Sequence, residues 1–129
     1  DTGLSVEALN GNPGVNSRRY AGPGASYADN NRHLIENLEK SGSKNFNASF
    51  ICVISLIEPD GNEMLFTGEC KGVILTKPLG NNGFGYDPHF YIPDSGKTMA
   101  QMSDAEKNSI SHRGCALLKL KNYLLGADL

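Results

Sequence analysis

The stretch Asn47-Ala48-Ser49-Phe50-Ile51-Cys52-Val53-Ile54-Ser55-Leu56-Ile57-Glu58-Pro59-Asp60-Gly61 decides how this chain folds. Phe50, Ile51, Val53, Ile54, Leu56 and Ile57 form the near-continuous apolar run of a strand buried on much of both faces. Pro59-Asp60-Gly61 is a turn signal, so the chain should return from Glu63 as the antiparallel partner of a hairpin. Gly68 interrupts the returning run and predicts a bend or bulge, after which Gly72-Val73-Ile74-Leu75 resumes the strand.

Upstream, Leu4, Val6 and Ala8 alternate with polar residues, a short half-buried strand over residues 3–9. Residues 10–24 hold four Gly and two Pro and predict a long ordered loop, with Arg18-Arg19-Tyr20 at its centre marking a functional role. Ser26-x-x-Asp29 then opens a helix whose inward face is Ala28, Leu34, Ile35 and Leu38, and Gly42 stops it. Downstream come a Gly/Asn loop over residues 78–88 and a brief strand over 89–92. Ser103-Asp104-Ala105-Glu106 is a capping box for a short helix, which Ser111 interrupts. A last helix over residues 113–125 carries Leu117, Leu118, Leu120, Leu124 and Leu125 as a broad apolar face and is closed by Gly126. The order β–loop–α–β–β–β–α–α makes an α/β protein, a mixed sheet with flanking helices, and residues 1–129 read as one domain.

At 129 residues the chain can bury a useful core. A net charge of −2 argues against a reader of nucleic-acid backbones, which would show a basic excess. Cys52, Cys70 and Cys115 are odd in number and lack CxxC spacing, so they read as reduced core thiols of a cytoplasmic protein. No apolar run reaches membrane-spanning length, so no membrane partner is expected. The chain opens without Met at Asp1-Thr2-Gly3-Leu4, inside an element, and reads as the later part of something longer.

Two runs carry chemistry: Gly83-Phe84-Gly85-Tyr86-Asp87-Pro88 and Glu106-Lys107-Asn108-Ser109-Ile110-Ser111-His112-Arg113-Gly114. Alone, the first is more often a tight connection with a core aromatic, and Lys107 a surface lysine. A serine-hydrolase reading fails for want of a G-x-S-x-G elbow, and no Walker A or GxGxxG pattern occurs. Zinc at His33, His89 and His112 has neither HxxxH spacing nor a cysteine partner. Together the two runs offer an aromatic face, a carboxylate and a guanidinium fork, a set that suits a flat heterocycle carrying phosphates.

The segments Asp1-Thr2-Gly3-Leu4-Ser5-Val6-Glu7-Ala8-Leu9-Asn10-Gly11, Pro13-Gly14-Val15, Ser17-Arg18-Arg19-Tyr20-Ala21-Gly22, residues 83–88 and residues 103–117 closely resemble the inosine triphosphate pyrophosphatase family. Those enzymes are non-canonical purine NTP pyrophosphatases, also called dITP/XTP pyrophosphatases. The resemblance implies a two-lobed, twisted mixed α/β sheet, of which this chain is the C-terminal portion. It implies hydrolysis of ITP, dITP and XTP to the monophosphate and pyrophosphate with Mg²⁺, in a homodimer. Asp1 then matches the proposed general base close to the metal, and Thr2 a neighbouring substrate contact. Phe84, Gly85, Tyr86 and Asp87 match the base-binding loop, and Lys107, His112 and Arg113 the remaining substrate contacts.

The side chains fit that chemistry, since an Arg fork can engage O6 and N7 of a 6-oxopurine while adenine presents a donor there. Stacking on Phe84 would add about 1–3 kcal/mol without reading base identity. The sequence departs from the family in three places. It holds no Thr/Ser-x-Asn-x-x-Lys phosphate motif with its acidic metal ligand, it lacks the Asp that usually precedes the one matched by Asp1, and Arg18 stands where a small residue is usual. This chain alone is therefore expected to turn over little or no substrate, and an unpartnered sheet edge should make it associate. The alternatives are a purine nucleotide-binding fragment without hydrolysis, or a Maf-like nucleotide pyrophosphatase.

Overall fold

The computed structural model describes residues 1–126. Strands β1 (Thr2–Val6), β2 (Pro13–Gly14), β3 (Asn47–Ile57), β4 (Glu63–Ile74), β5 (Phe90–Ile92) and β6 (Lys97–Thr98) form one sheet in the order β2-β1-β3-β4-β5-β6. Every adjacent pair is antiparallel. Helices α1 (Tyr27–Ser41), α2 (Asp104–Ile110) and α3 (His112–Leu124) complete an α/β fold of the expected class.

The β3–β4 hairpin is its spine, paired without a slip from Asn47↔Val73 to Ile57↔Glu63. Gly68 sits in that register opposite Cys52, so the predicted bulge is not there. The glycine serves a close approach instead. A Cβ on it would lie 2.0 Å from the His112 carbonyl oxygen and 2.6 Å from the Ala116 nitrogen, so α3 rests directly on the β4 backbone. The same closeness corrects the face expected of α3. What it buries is His112 and the small Ala116, while Leu117, Leu118 and Leu124 are exposed, as is Leu125 just beyond it. A leucine at the contact would hold the helix away from the strand.

One sheet face carries the core. Leu4, Phe50 and Cys70 stand side by side in register and are buried with Val6, Ala48 and Ile74. Phe50 and Phe90 pack with ring centroids 4.3 Å apart and planes tilted by 39°, and Leu34 and Leu38 of α1 join the cluster. Burial pushes the Cys70 thiol up to about 11, with Cys115 and Glu69 adding to the effect, which makes it inert packing. On the other face Ile51 and Val53 are only half-buried, so β3 is covered less fully than its apolar run predicts.

The helix ends follow the expected signals. Ser26 and Ser103 each complete a capping box, with Asp29 and Glu106 returning the bond. Ser111 caps twice: its N–H ends α2 on the Lys107 carbonyl, and its Oγ accepts the Gly114 N–H to begin α3. Residues 10–24 are more regular than a loop, containing β2 and a 3-10 turn at Ser17–Arg19. Ala8 belongs to another such turn, Glu7–Leu9, rather than to a strand. On α1, Ala28 is exposed and the inward position of the first turns belongs to Asn30.

Candidate active site

Over β1 and β3 a cavity of about 370 Å³ opens between α1, the α2–α3 junction and the loop of residues 83–87. Thr2, Phe84, Gly85, Tyr86, Asp87, Lys107, His112 and Arg113, singled out from the sequence over more than a hundred positions, all line it. Asp1 does not. It is exposed at the head of β1, where its main-chain nitrogen and carbonyl pair with Val53 at 2.9 and 2.7 Å.

Asp87 organises the loop. Its buried carboxylate accepts the Phe84 N–H at 3.0 Å and the Lys107 ammonium at 2.5 Å. Gly83 turns into this knot at a φ of +74°, and any Cβ there would sit 2.2 Å from the Asp87 Oδ2. Tyr86 is buried and its hydroxyl donates to the Ser17 carbonyl at 2.5 Å, which fastens the loop to residues 17–19. Burial, and secondarily Tyr20, raises that phenol well above its ordinary range, so it stays a donor. On the other side Asn31 of α1 donates to the Gly85 carbonyl at 3.0 Å.

So held, the loop presents Phe84, 47% exposed, as a platform. The Lys107 nitrogen lies 4.5 Å from its ring centroid and the Arg113 guanidinium carbon 5.1 Å. These cations come from two helices, and the double cap at Ser111 makes them converge. His112, the next residue, stacks on Phe50 with centroids 4.9 Å apart. Both its ring nitrogens are buried and without a partner. Burial first, then the charges of Arg113 and Lys107, push it down to about 4. The imidazole is therefore neutral near pH 7, with one donor and one acceptor for whatever enters the cavity.

Sequence reading gave no site role to Tyr27, Asn30 and Asn31, and it placed Ser17 and Arg18 only in a family-like loop segment, with Arg18 as a departure from the usual small residue. Asn30 had a usable signal: it lies four and eight residues before Leu34 and Leu38, on the apolar stripe. A polar residue there needs partners, and it has them in the Ala21 N–H at 2.9 Å and the Arg18 carbonyl at 2.8 Å. Tyr27 offered no such signal. Among the described residues no three His, Cys, Asp or Glu side chains gather to hold a metal ion, and no helix is long and apolar enough to cross a membrane.

A helix-backed antiparallel sheet with an aromatic, cationic cavity over β1 and β3 defines an α/β protein with a built ligand site. The chain belongs to the Ham1 family, whose profile matches residues 1–123. It is 51% identical over 125 residues to a dITP/XTP pyrophosphatase of Thermoanaerobacter sp. (strain X514), covering 97% of this chain and 63% of that protein. A second dITP/XTP pyrophosphatase, from Staphylococcus epidermidis, is 51% identical over 98% of this chain and 64% of its own length. Among solved structures, a HAM1 protein from Coxiella burnetii superposes with a TM-score of 0.95 at 44% identity, covering 98% of this chain and 65% of that one. The Staphylococcus aureus Ham1 protein gives a TM-score of 0.93 at 45% identity. This chain thus spans a little under two thirds of its relatives' length.

Proposed function

We propose that this chain carries the base-recognition part of a nucleoside triphosphate pyrophosphatase that hydrolyses ITP, dITP and XTP to the monophosphate and pyrophosphate. One observation supports this above the rest: Phe84, Arg113 and the unpartnered His112 share a single cavity. A flat ring can lie on Phe84 while the guanidinium moves from the ring face to the rim and bonds O6 and N7 of a 6-oxopurine. Adenine would set an amino donor against those donors, and a site with buried polar groups rejects such a mismatch strongly. Neutral His112 adds one bond to the rim without adding charge. Asp87 stays tied to Lys107 and keeps the platform in place.

The bond to be broken joins the α- and β-phosphates. In this reading Asp1 takes the proton of the attacking water and is the residue that would hold Mg²⁺. A hard cation bound largely through phosphates and water needs only one or two carboxylates. When bound it would neutralise charge on the phosphates. Thr2, one residue on, lines the cavity and links this end of β1 to the base site. A cytoplasmic location, which the unpaired cysteines favour, and a homodimer, which the family resemblance implies, complete the reading.

The test is the full-length protein with ITP and ATP in Mg²⁺. Arg113→Ala should lose at least about tenfold more kcat/KM on ITP than on ATP, on the scale of one lost bidentate contact. Equal losses on both would remove the proposal. A second reading, nucleotide binding without hydrolysis by these residues alone, is favoured by the position of Asp1 outside the cavity lining. Calorimetry of the 129-residue chain tests it: equal affinity for IMP and ITP supports a base-only site, and binding of neither removes it.

A further inference from the structure

Two large aromatic side chains stand exposed at the mouth of the cavity, Phe84 at 47% and Tyr27 at 44%. Their centroids are 6.3 Å apart and their planes tilted by 40°. Tyr27 is the first residue of α1, so it reaches the cavity from a different element than Lys107 and Arg113 do. Arg18 holds it, donating from Nη1 to the phenol oxygen at 3.1 Å with its guanidinium carbon 5.6 Å from the ring centroid. Arg18 is fixed in turn, because its carbonyl accepts the Asn30 side chain.

We propose that Tyr27 is a second aromatic wall for the bound base, closing on the face that Phe84 leaves open, and that Arg18 is the positioning residue that sets its angle. The proposal rests on the nucleotide reading above and adds a specificity of shape: a flat bicyclic ring is gripped on two faces. A ring between two aromatic faces needs them about 7 Å apart, twice the usual ~3.5 Å contact. The observed 6.3 Å is less than that by under 1 Å. A small rotation of an exposed side chain at a helix start supplies the difference and brings the rings closer to parallel. Unliganded, the pair leans together and covers part of the apolar surface that the base would otherwise cover. Nothing else in the fold requires an exposed phenol there, since the start of α1 is already capped by Ser26.

The chain has no tryptophan, which makes a direct test available. In Tyr27→Trp, inosine and IMP should bind about as tightly as to the parent chain and quench the introduced indole by stacking. Tyr27→Ala should bind both ligands about 5- to 100-fold more weakly, the range for losing one base–aromatic stack. Tyr27→Phe and Arg18→Ala should each cost about threefold or less, and the double variant no more than either alone, because both remove the same latch.

An indole that keeps its full emission at saturating IMP overturns the second wall, and so does Tyr27→Ala binding at parent affinity. If Arg18→Ala weakens IMP but not inosine, Arg18 meets the phosphate and its positioning role is wrong. A parent chain that binds neither ligand instead overturns the nucleotide reading, a different result from a failed wall.

Discussion

The two glycine-rich connections that meet at the cavity, residues 10–24 and 78–88, differ in one respect: only the second is built round a buried ion pair. The first is a chain of short backbone bonds: Asn16 to Pro13, Arg19 to Asn16, Gly22 to Arg19 and Ala25 to Gly22. Asn30 and the Ser17 hydroxyl add neutral side-chain bonds to it. The second also has neutral bonds, through Asn31, Asn82 and Tyr86, but adds one charge at its centre, the Asp87 carboxylate, shared between the Phe84 N–H and Lys107 with both partners of the ion pair largely buried. Many weak local bonds tolerate the loss of any one. A single buried pair fixes its loop more sharply and fails as a unit, because removing one partner strands the other. The exposed ring of Phe84 is carried by the second kind.

That contrast can be broken most severely at Asp87. Asp87→Ala leaves the Lys107 ammonium buried without a partner and frees the Phe84 N–H, and should cost about 3–5 kcal/mol in urea unfolding. Adding Lys107→Met should recover much of the loss, because no orphan charge then remains. A cost under about 1 kcal/mol for Asp87→Ala would show that the two loops do not differ as described.

On the other side, Asn30→Ala removes two bonds from a fully buried site and should cost about 1–3 kcal/mol. The excess should appear as faster proteolytic nicking within residues 10–24 while residues 78–88 stay protected. Nicking at both loops together would mean they unfold as one.

His112 lines the cavity between the two connections and gives a pH signature. Folded, it takes a proton only near pH 4; unfolded, near 6.5. Below 6.5 the unfolded chain gains a proton that the folded one refuses. Stability from this group is therefore complete above about pH 6.5 and drains away as pH falls towards 4. The loss should be about 2 kcal/mol after allowance for solvent screening, and His112→Phe, which keeps a ring on Phe50, should flatten that part of the curve. An unchanged slope would mean that carboxylates alone set it.

The smallest effect belongs to Asn31→Ala. It loses the bond to the Gly85 carbonyl but also removes a buried side-chain oxygen without a partner, so the two changes offset to under about 1 kcal/mol.

Local signals in the sequence were read well wherever the physics is local. The turn at Pro59-Asp60-Gly61, the capping boxes at Ser26 and Ser103 and the break at Ser111 are all present. Each is decided by a residue and its neighbours within four positions. Gly68 and the leucines of α3 were misread for one shared reason: both depend on how near α3 lies to β4, a distance no local pattern contains. Tyr27 and Asn31 went unseen because their partners are 9 to 57 positions away, whereas Asn30 showed itself only as a polar residue on an apolar stripe.

By itself the sequence determined the hairpin and the helix ends, because hydrophobic period, caps and turn residues act over a few positions, and it named the aromatic and charged residues that suit a flat heterocycle. Only the tertiary structure decided that Phe84, Arg113 and a neutral His112 share one cavity, that Asp87 is tied to Lys107, and that Tyr27 joins them while Asp1 stays outside its lining. Those facts depend on burial and on distances between elements, and a linear chain carries neither until it is packed.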